Sequence, residues 1–336
     1  MPANPVYELL PGTLKNLFFP PEKNEYTYFR YADAHPFLVG DEITKAAWAA
    51  DASMLAYARY GQQRMAWSEV TAILTGAGLP NAVQIGDWQA PGTQAYFAWN
   101  DEFAILAFRG TEADDPSDSF ADADIVMIHE PSYQLEAAHP VLAHLSLIEH
   151  LFGSARMVHQ GFQRALNQVR DQVHSCVTAF RGNHPNAEIC FTGHSLGAAL
   201  ALLAYSRFED PMSRLITFGC PRVGNQPFRD RVIAFPSKGI FRCVNLNDPV
   251  AHVPLESFLY RHATDWFMHF DDEGVLNRQE AAAAFEGDVK TLEVTVSGLH
   301  WNGHTDLSQI QAPAGVVDHS PARYCMRIWN KVLSPA

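Results

Sequence analysis

The pentapeptide Gly193-His194-Ser195-Leu196-Gly197 places a serine between two glycines, a spacing that suits a nucleophilic hydroxyl at a sharp turn. A strand is predicted over 187–192, and a helix rich in alanine and leucine is predicted to follow the pentapeptide. At such a strand-to-helix turn the serine holds unfavourable backbone angles, and a Cβ two positions before or after it would clash. We therefore predict that Ser195 is a nucleophile at a helix N-terminus, where the helix dipole favours negative charge.

A serine hydroxyl needs a base to remove its proton and a carboxylate to orient that base. In doubly wound hydrolases these residues follow in the order Ser, Asp or Glu, His, each beyond the carboxyl end of a strand. Asp248 is the candidate acid, because it lies just past the predicted strand 240–245 and Pro249 favours an extended conformation at the preceding residue. The alternative is that the tripeptide Asn-Asp-Pro forms an ordinary turn.

The chain contains 15 histidines, and His319 is the candidate base. It directly precedes a predicted C-terminal helix, whose start is indicated by the Ser-Pro pair that follows the histidine. His304 and His300 are the alternative bases. Together with Asp306 they could also form a metal site, although an irregular loop that contains glycine does not fix ligand geometry.

The tetrahedral intermediate of acyl transfer carries an oxyanion, which needs hydrogen-bond donors that are already in place. The backbone N–H of Leu196, at the start of the helix after the serine, is one candidate donor. The second candidate is Thr111, because the segment 108–111 follows another predicted strand and Gly110 permits a tight bend. The alternative for this segment is a plain turn at the end of a strand.

Alternating strands and helices must position these residues. The predicted helices cover 41–60, 68–75 and 160–182, and the predicted strands cover 93–99, 102–108, 215–219 and 240–245, in addition to the strand before Ser195. This alternation predicts an α/β fold with a mostly parallel sheet that helices cover on both faces. The chain has 336 residues, of which 47% are hydrophobic, and we expect one main domain over 41–336 with an extended arm over 1–40 packed against it.

Charge and composition bear on partners and location. The net charge of −13 argues against a nucleic-acid partner, and no apolar run approaches the roughly 18 residues that a membrane-spanning helix needs. Nothing near Met1 resembles a signal peptide, so we expect a cytoplasmic location, with export only by a signal-less route. The five cysteines lack paired spacing and are expected to be buried, reduced thiols.

Five motifs and a final histidine, taken in order, resemble those of the fungal-type, or class 3, lipases of the α/β-hydrolase fold. They are 108–111, 158–162, 192–197, 217–225, 244–254 and His319. The resemblance implies an α/β-hydrolase fold and a serine hydrolase that cleaves carboxylic esters, usually those of acylglycerols or other lipids. It also implies a Ser195, Asp248 and His319 triad, an oxyanion hole formed by Thr111 and Leu196, and no metal or organic cofactor.

Two segments depart from the family pattern. The segment of about 112–157 is longer than the short lid of the family, opens with the polar, acidic stretch 114–119 and lacks the tryptophan often found in such lids. It is interpreted either as a mobile lid or as a helix packed permanently on the core. A second insertion, about 277–316, precedes His319. Neither segment defines the substrate, so the alternatives are a short-chain carboxylesterase, a phospholipase A or a delivered antibacterial lipase toxin, and, outside the enzymes, a non-catalytic binding module.

Overall fold

The structure, a computed structural model, describes residues 7–13, 15–16, 21, 25–30, 40–58, 65–110, 126–130, 155–254, 256–271, 275–279, 311 and 316–333. The helices are α1 (Glu42–Leu55), α2 (Trp67–Gly76), α3 (Gln160–Asn167), α4 (Arg170–Asn183), α5 (Leu196–Phe208), α6 (Gln226–Ala234) and α7 (Pro321–Leu333). The strands are β1 (Asn81–Ile85), β2 (Ala95–Trp99), β3 (Phe103–Phe108), β4 (Met127–His129), β5 (Met157–His159), β6 (Glu188–His194), β7 (Ser213–Phe218), β8 (Ile240–Asn245), β9 (Trp266–Phe270) and β10 (Val275–Gln279). Short 3₁₀ helices cover Pro249–His252, Glu256–Phe258 and Val316–His319. None of the helices in these ranges is both long enough and apolar enough to cross a membrane.

An eight-stranded sheet in the order β1-β2-β3-β6-β7-β8-β9-β10 forms the centre of the fold. Neighbouring strands from β3 to β9 pair in parallel, whereas β1, β2 and β10 are joined by antiparallel pairing at the two edges. The strands β4 and β5 form a separate two-stranded sheet. The predicted α/β fold with a mostly parallel central sheet is therefore confirmed.

Helices cover both faces of the central sheet. Successive side chains of a strand point to opposite faces, so a fully buried strand must be covered on both sides. Along β6, the side chain of Cys190 packs in the core cluster that contains α1 and α7, whereas its neighbours Ile189 and Phe191 pack in the cluster that contains α5. Because β6, β7 and β8 are parallel neighbours, their carboxyl ends meet at one edge of the sheet. The segments that follow these three strands contain the candidate site.

The predicted single helix over 160–182 is wrong, because α3 ends at Asn167 and α4 begins at Arg170. At this break the Thr93 hydroxyl donates a hydrogen bond to the Ala165 carbonyl at 2.7 Å. The last turn of α3 is tightened at the same place, since the N–H of Gln168 donates to Ala165 and not to the residue four positions earlier. A side chain from another element thus competes for a helical acceptor.

Other boundaries also differ from the predictions. The helix predicted over 41–60 ends at Leu55 and is followed by a turn. The strands β1, β9 and β10 have no counterpart among the predicted strands. The sequence of β10, Val-Leu-Asn-Arg-Gln, is too polar and too short to be distinguished from a loop by hydrophobic periodicity.

A fully buried carboxylate joins the described part of the arm to two helices. Asp51, in α1, accepts hydrogen bonds from the Tyr26 hydroxyl at 2.5 Å, the Phe29 N–H at 2.6 Å and the Trp329 indole N–H of α7 at 3.0 Å. Burial raises the pKa of Asp51 to about 7, and these hydrogen bonds offset only part of that effect. Asp51 therefore contributes a proton-dependent term to the stability of the fold.

We expect Asp51→Asn to reduce the dependence of stability on pH. Because the pKa is higher in the folded protein than in the unfolded chain, the stabilising contribution of Asp51 is fully present below about pH 4 and is lost as the pH rises through 7. Between pH 5 and pH 8 the wild type should lose about 3 kcal/mol more unfolding free energy than Asp51→Asn, measured by urea denaturation. Parallel pH profiles for the two proteins would contradict this assignment.

Candidate active site

Ser195 lies at the turn between β6 and α5 and is almost fully buried. Its backbone angles, φ 60° and ψ −128°, belong to a region that residues with a side chain rarely adopt. The surrounding backbone maintains this conformation. The N–H of Ser195 donates to the Phe218 carbonyl of β7 at 3.0 Å, and the Ser195 carbonyl accepts from the Ala198 N–H at 3.0 Å.

Close backbone contacts explain the two glycines beside Ser195. A Cβ on Gly193 would lie 2.3 Å from the carbonyl carbon and oxygen of Gly197, and a Cβ on Gly197 would lie 2.3 Å from the Phe108 carbonyl oxygen. Real Cβ contacts are essentially never shorter than 3.0 Å, so neither position tolerates a side chain without movement of the backbone. The predicted steric need for both glycines is confirmed.

The segment after β3 passes directly beside the same turn. A Cβ on Gly110 would lie 2.7 Å from the carbonyl oxygen of His194 and would overlap the hydroxyl of Tyr57. Leu196 is the first residue of α5, and the first N–H groups of a helix have no partner inside that helix. Thr111 lies outside the residues that the structure describes. The assignment of Leu196 and Thr111 as oxyanion donors therefore stays a prediction.

Asp248 and His319 form a buried, hydrogen-bonded pair. His319 Nδ1 lies 2.8 Å from Asp248 Oδ2 and 3.0 Å from Oδ1, and the side chains are 8% and 0% exposed. Asp248 follows β8, and its φ of −53° and ψ of 109° lie outside the helical region, as Pro249 requires, but short of the extended conformation that was predicted. The Val250 N–H donates to Asp248 Oδ1 at 2.9 Å. A proton on His319 Nδ1 satisfies Asp248 and leaves the lone pair on Nε2.

A second histidine links this pair to the turn at Ser195. The ring centroid of His194, the residue before Ser195, lies 4.4 Å from that of His319. Tyr57 Oη is 2.9 Å from His194 Nδ1. Burial and the neighbouring His319 hold the pKa of His194 well below its usual value, so His194 is neutral. The structure thus brings the three predicted triad residues to the same edge of the sheet.

Tyr324, a residue that the sequence analysis missed, supports the carboxylate of Asp248. Its hydroxyl, on α7, donates to Asp248 Oδ2 at 2.6 Å and accepts the backbone N–H of Asn245 at 3.0 Å. Burial opposes ionisation of Asp248, but the charge and hydrogen bonds of His319 and the hydrogen bond from Tyr324 outweigh it and lower the pKa of Asp248. A tyrosine five residues after the candidate base, on the predicted C-terminal helix, is the signal that could have found it.

Gly219 is a second residue whose position beside the pair was missed. Its φ is +55°, and a Cβ would lie 2.5 Å from Asp248 Oδ2 and 2.9 Å from His319 Nδ1. The carboxylate and the imidazole therefore occupy the space that a side chain at 219 would need. The sequence signal is a glycine directly after the strand that lies next to β6 in the sheet.

The other sequence candidates have different outcomes. His300, His304 and Asp306 lie outside the described residues, and no metal-binding group of three His, Cys, Asp or Glu residues occurs within the described ranges. The Ser320 hydroxyl donates to the Asn16 carbonyl at 2.5 Å, so the residue directly before α7 binds the described part of the arm. All five cysteines are free thiols, as predicted, and four of them are buried.

Comparisons with known proteins agree with the geometry. The family model described as lipase (class 3) matches residues 105–258. A secreted mono- and diacylglycerol lipase of Fusarium solani is 36% identical over 109 residues, which cover 32% of this chain and 32% of that protein. A lipase of Rhizomucor miehei is 33% identical over 153 residues, 43% of this chain and 40% of that protein. The chain thus spans about a third to two fifths of the length of these relatives.

The expectation of a cytoplasmic location is wrong. The Fusarium solani relative and lipase A of Penicillium cyclopium, which is 31% identical over 140 residues that cover 41% of this chain and 43% of that protein, are both named as secreted mono- and diacylglycerol lipases. The expectation depended on the composition of the residues around Met1, and that composition does not determine the compartment in which the folded protein works.

The fold of this chain is similar to that of solved fungal lipase structures. The Rhizomucor miehei lipase in complex with its propeptide aligns with a TM-score of 0.54 and 21% identity, over 75% of this chain and 77% of that one. Lipase II of Rhizopus niveus aligns with a TM-score of 0.52 and 20% identity, over 74% of this chain and 89% of that one. The class 3 lipase model thus matches a little less than half of this chain, and the architecture shared with these lipases shows that the chain has the α/β-hydrolase fold.

Proposed function

We propose that this protein is a serine carboxylic ester hydrolase that cleaves acylglycerols. The observation that carries the proposal is the buried Asp248–His319 pair, which lies beside the strained turn that holds Ser195. A hydrogen-bonded acid and base next to a serine in this conformation is the arrangement that nucleophilic catalysis by a hydroxyl needs. The names of the relatives, mono- and diacylglycerol lipases, support a lipid ester as the substrate.

In the proposed reaction, His319 Nε2 accepts the proton of the Ser195 hydroxyl while Ser195 Oγ attacks the carbonyl carbon of the ester. Asp248 accepts the Nδ1 proton of His319 and stabilises the imidazolium that forms. The tetrahedral intermediate collapses, the C–O bond to the alcohol breaks, and His319 returns its proton to the leaving oxygen. Water then attacks the acyl-enzyme with His319 again as base, which releases the fatty acid and restores Ser195.

The oxyanion of each intermediate forms close to the N-terminus of α5. We assign the Leu196 N–H and Thr111 as its donors, which the passage of the 109–110 segment beside the turn supports. Such donors act in the transition state because they are oriented before the charge develops. The positive end of the α5 dipole adds to this stabilisation. This proposal needs no metal or organic cofactor.

We also propose a location outside the cell and contact with lipid aggregates, which the names of the secreted relatives support. The division into an arm over 1–40 and a catalytic domain over 41–336 stays a prediction. The same holds for insertions at about 112–157 and 277–316, because most of their residues lie outside the described ranges.

Ser195→Ala should abolish hydrolysis of tributyrin, because the alanine has no hydroxyl to form the acyl-enzyme. We expect the rate to fall by about 10⁴-fold or more. The measurement is fatty-acid release at tributyrin concentrations below and above the solubility limit, with circular dichroism to verify that the variant is folded. A sharp rise in the wild-type rate above the limit would indicate a lipase activated at an interface.

Smooth saturation below the limit would instead indicate a soluble esterase. If Ser195→Ala were as active as the wild type, Ser195 would not be the nucleophile. Absence of any wild-type activity on tributyrin, p-nitrophenyl esters and phospholipids would contradict ester hydrolysis itself.

Tyr324→Phe should lower kcat by about 10-fold with little change in KM, because the carboxylate that supports His319 loses one hydrogen bond. The lost bond to a charged group should also reduce the unfolding free energy by about 2 kcal/mol. Tyr96→Phe is the matched control, since Tyr96 is equally buried and its hydroxyl donates to the Ala52 carbonyl, away from the site. An equal kcat for both variants and the wild type would show that Tyr324 does not assist the acid.

A further inference from the structure

The three predicted triad residues are held in the fold in different ways. Ser195 directly follows β6, and Asp248 lies three residues beyond the end of β8, so the central sheet fixes both. His319 lies in the 3₁₀ helix Val316–His319, which is not part of the sheet. The position of His319 therefore depends on the contacts that join this 3₁₀ helix to the end of β8.

Asn245, the last residue of β8, makes such a contact with its side chain. It is fully buried, and its Nδ2 donates a hydrogen bond to the backbone carbonyl of Asp318 at 2.8 Å. This carbonyl belongs to the peptide group that connects Asp318 to His319. The amide of Asn245 therefore holds the chain one peptide bond from the Cα of the base.

The backbone of Asn245 also reaches the acid. Its N–H donates to the Tyr324 hydroxyl at 3.0 Å, and that hydroxyl donates to Asp248 Oδ2 at 2.6 Å. Asn245 is thus connected to His319 through its side chain and to Asp248 through its backbone. Asn245, at the end of β8, therefore contributes to the distance between His319 and Asp248.

The chemistry of the side chain fits this task. The two residues before Asn245 in β8, Cys243 and Val244, are buried and apolar, and burial of an amide at the next position costs free energy unless the amide makes a hydrogen bond. A neutral donor satisfies the Asp318 carbonyl without adding a charge next to the ionised Asp248. A lysine or an aspartate at 245 would add such a charge.

We infer that Asn245 is a positioning residue for the base. Its side-chain amide, through the Asp318 carbonyl, holds His319 Nδ1 against Asp248 and thereby directs Nε2 to Ser195. This inference rests on the proposed function and deepens it. A displacement of a reacting group by about 1 Å costs about 100-fold in rate, so loss of the amide has a measurable effect on turnover.

The test compares Asn245→Ala and Asn245→Leu with the wild type. Both variants remove the donor, and leucine fills more of the volume of the amide, so an effect common to both arises from the lost hydrogen bond and not from a cavity. We expect kcat to fall by about 10- to 100-fold in both, with KM unchanged within about twofold. We also expect the low-field proton resonance of the His319 Nδ1–H, recorded by NMR, to weaken or move upfield.

Thr192→Val is the matched control. Thr192 is fully buried in β6, and its hydroxyl donates to the Ile216 carbonyl at 2.8 Å. The substitution also removes buried hydrogen bonding, both to the Ile216 carbonyl and with the Ser53 hydroxyl at 2.9 Å, but it leaves the contact between Asn245 and Asp318 in place. We expect this variant to lose stability while it keeps both the wild-type kcat and the wild-type low-field resonance.

Two outcomes would overturn the inference: wild-type kcat and an unchanged resonance in Asn245→Ala or Asn245→Leu, or equal losses in Thr192→Val. The proposed function is tested separately by labelling Ser195 with a fluorophosphonate. If the wild type is neither labelled nor active on esters, the proposed function fails, whereas the NMR resonance still reports whether Asn245 holds His319 against Asp248. If the wild type is labelled and the variants keep its resonance, only the positioning role fails.

Discussion

A carboxylate as deeply buried as that of Asp248 is stable in its charged form only where other groups replace the water that it has lost. In this protein the replacements come from separate parts of the chain. His319 precedes α7, Tyr324 belongs to α7, and the N–H of Val250 belongs to the 3₁₀ helix Pro249–His252 after β8. The groups that compensate the charge of Asp248 therefore join α7 to the end of β8. The relative positions of Asp248 and His319 follow from these contacts.

The second constraint is steric and acts on the backbone. The turn at Ser195 packs so closely on itself and on the end of β3 that Gly193 and Gly197 have no room for a Cβ. Gly219 likewise has no room for a Cβ, because the side chains of Asp248 and His319 lie against it. Glycine at these points lets neighbouring segments approach within backbone contact. The unfavourable angles of Ser195 persist because the packed segments around it leave no alternative path for the chain.

The sequence predicts those parts of the site that depend on local patterns. Ser195 is recognisable because strand, turn and helix follow one another directly, and Asp248 because a proline fixes the residue after a strand. The partners of Asp248 and Asp318 are not recognisable in this way, since Tyr324 lies 76 residues from Asp248 and Asn245 lies 73 residues from Asp318. The break between α3 and α4 has the same origin, because Thr93 is 72 residues away from Ala165. Local periodicity contains no information on a hydrogen bond that a distant element supplies.

Asp51 and Asp248 are both fully buried, but their pKa values shift in opposite directions. The chemical nature of the groups that contact each carboxylate, and not the extent of its burial, accounts for this difference. The donors to Asp51 include a phenol, an indole and a backbone N–H, all neutral, and burial prevails over them, so the pKa rises to about 7. The donors to Asp248 include an imidazole that can itself become cationic, and the pKa falls. An ionised carboxylate beside His319 stabilises the imidazolium of the proposed reaction, whereas Asp51, whose pKa is about 7, joins the described part of the arm to α1 and α7. In the proposed mechanism the same residue type thus has a catalytic task at the edge of the sheet, where its partner His319 can accept a positive charge, and a structural one between α1 and α7, where its hydrogen-bond donors are neutral.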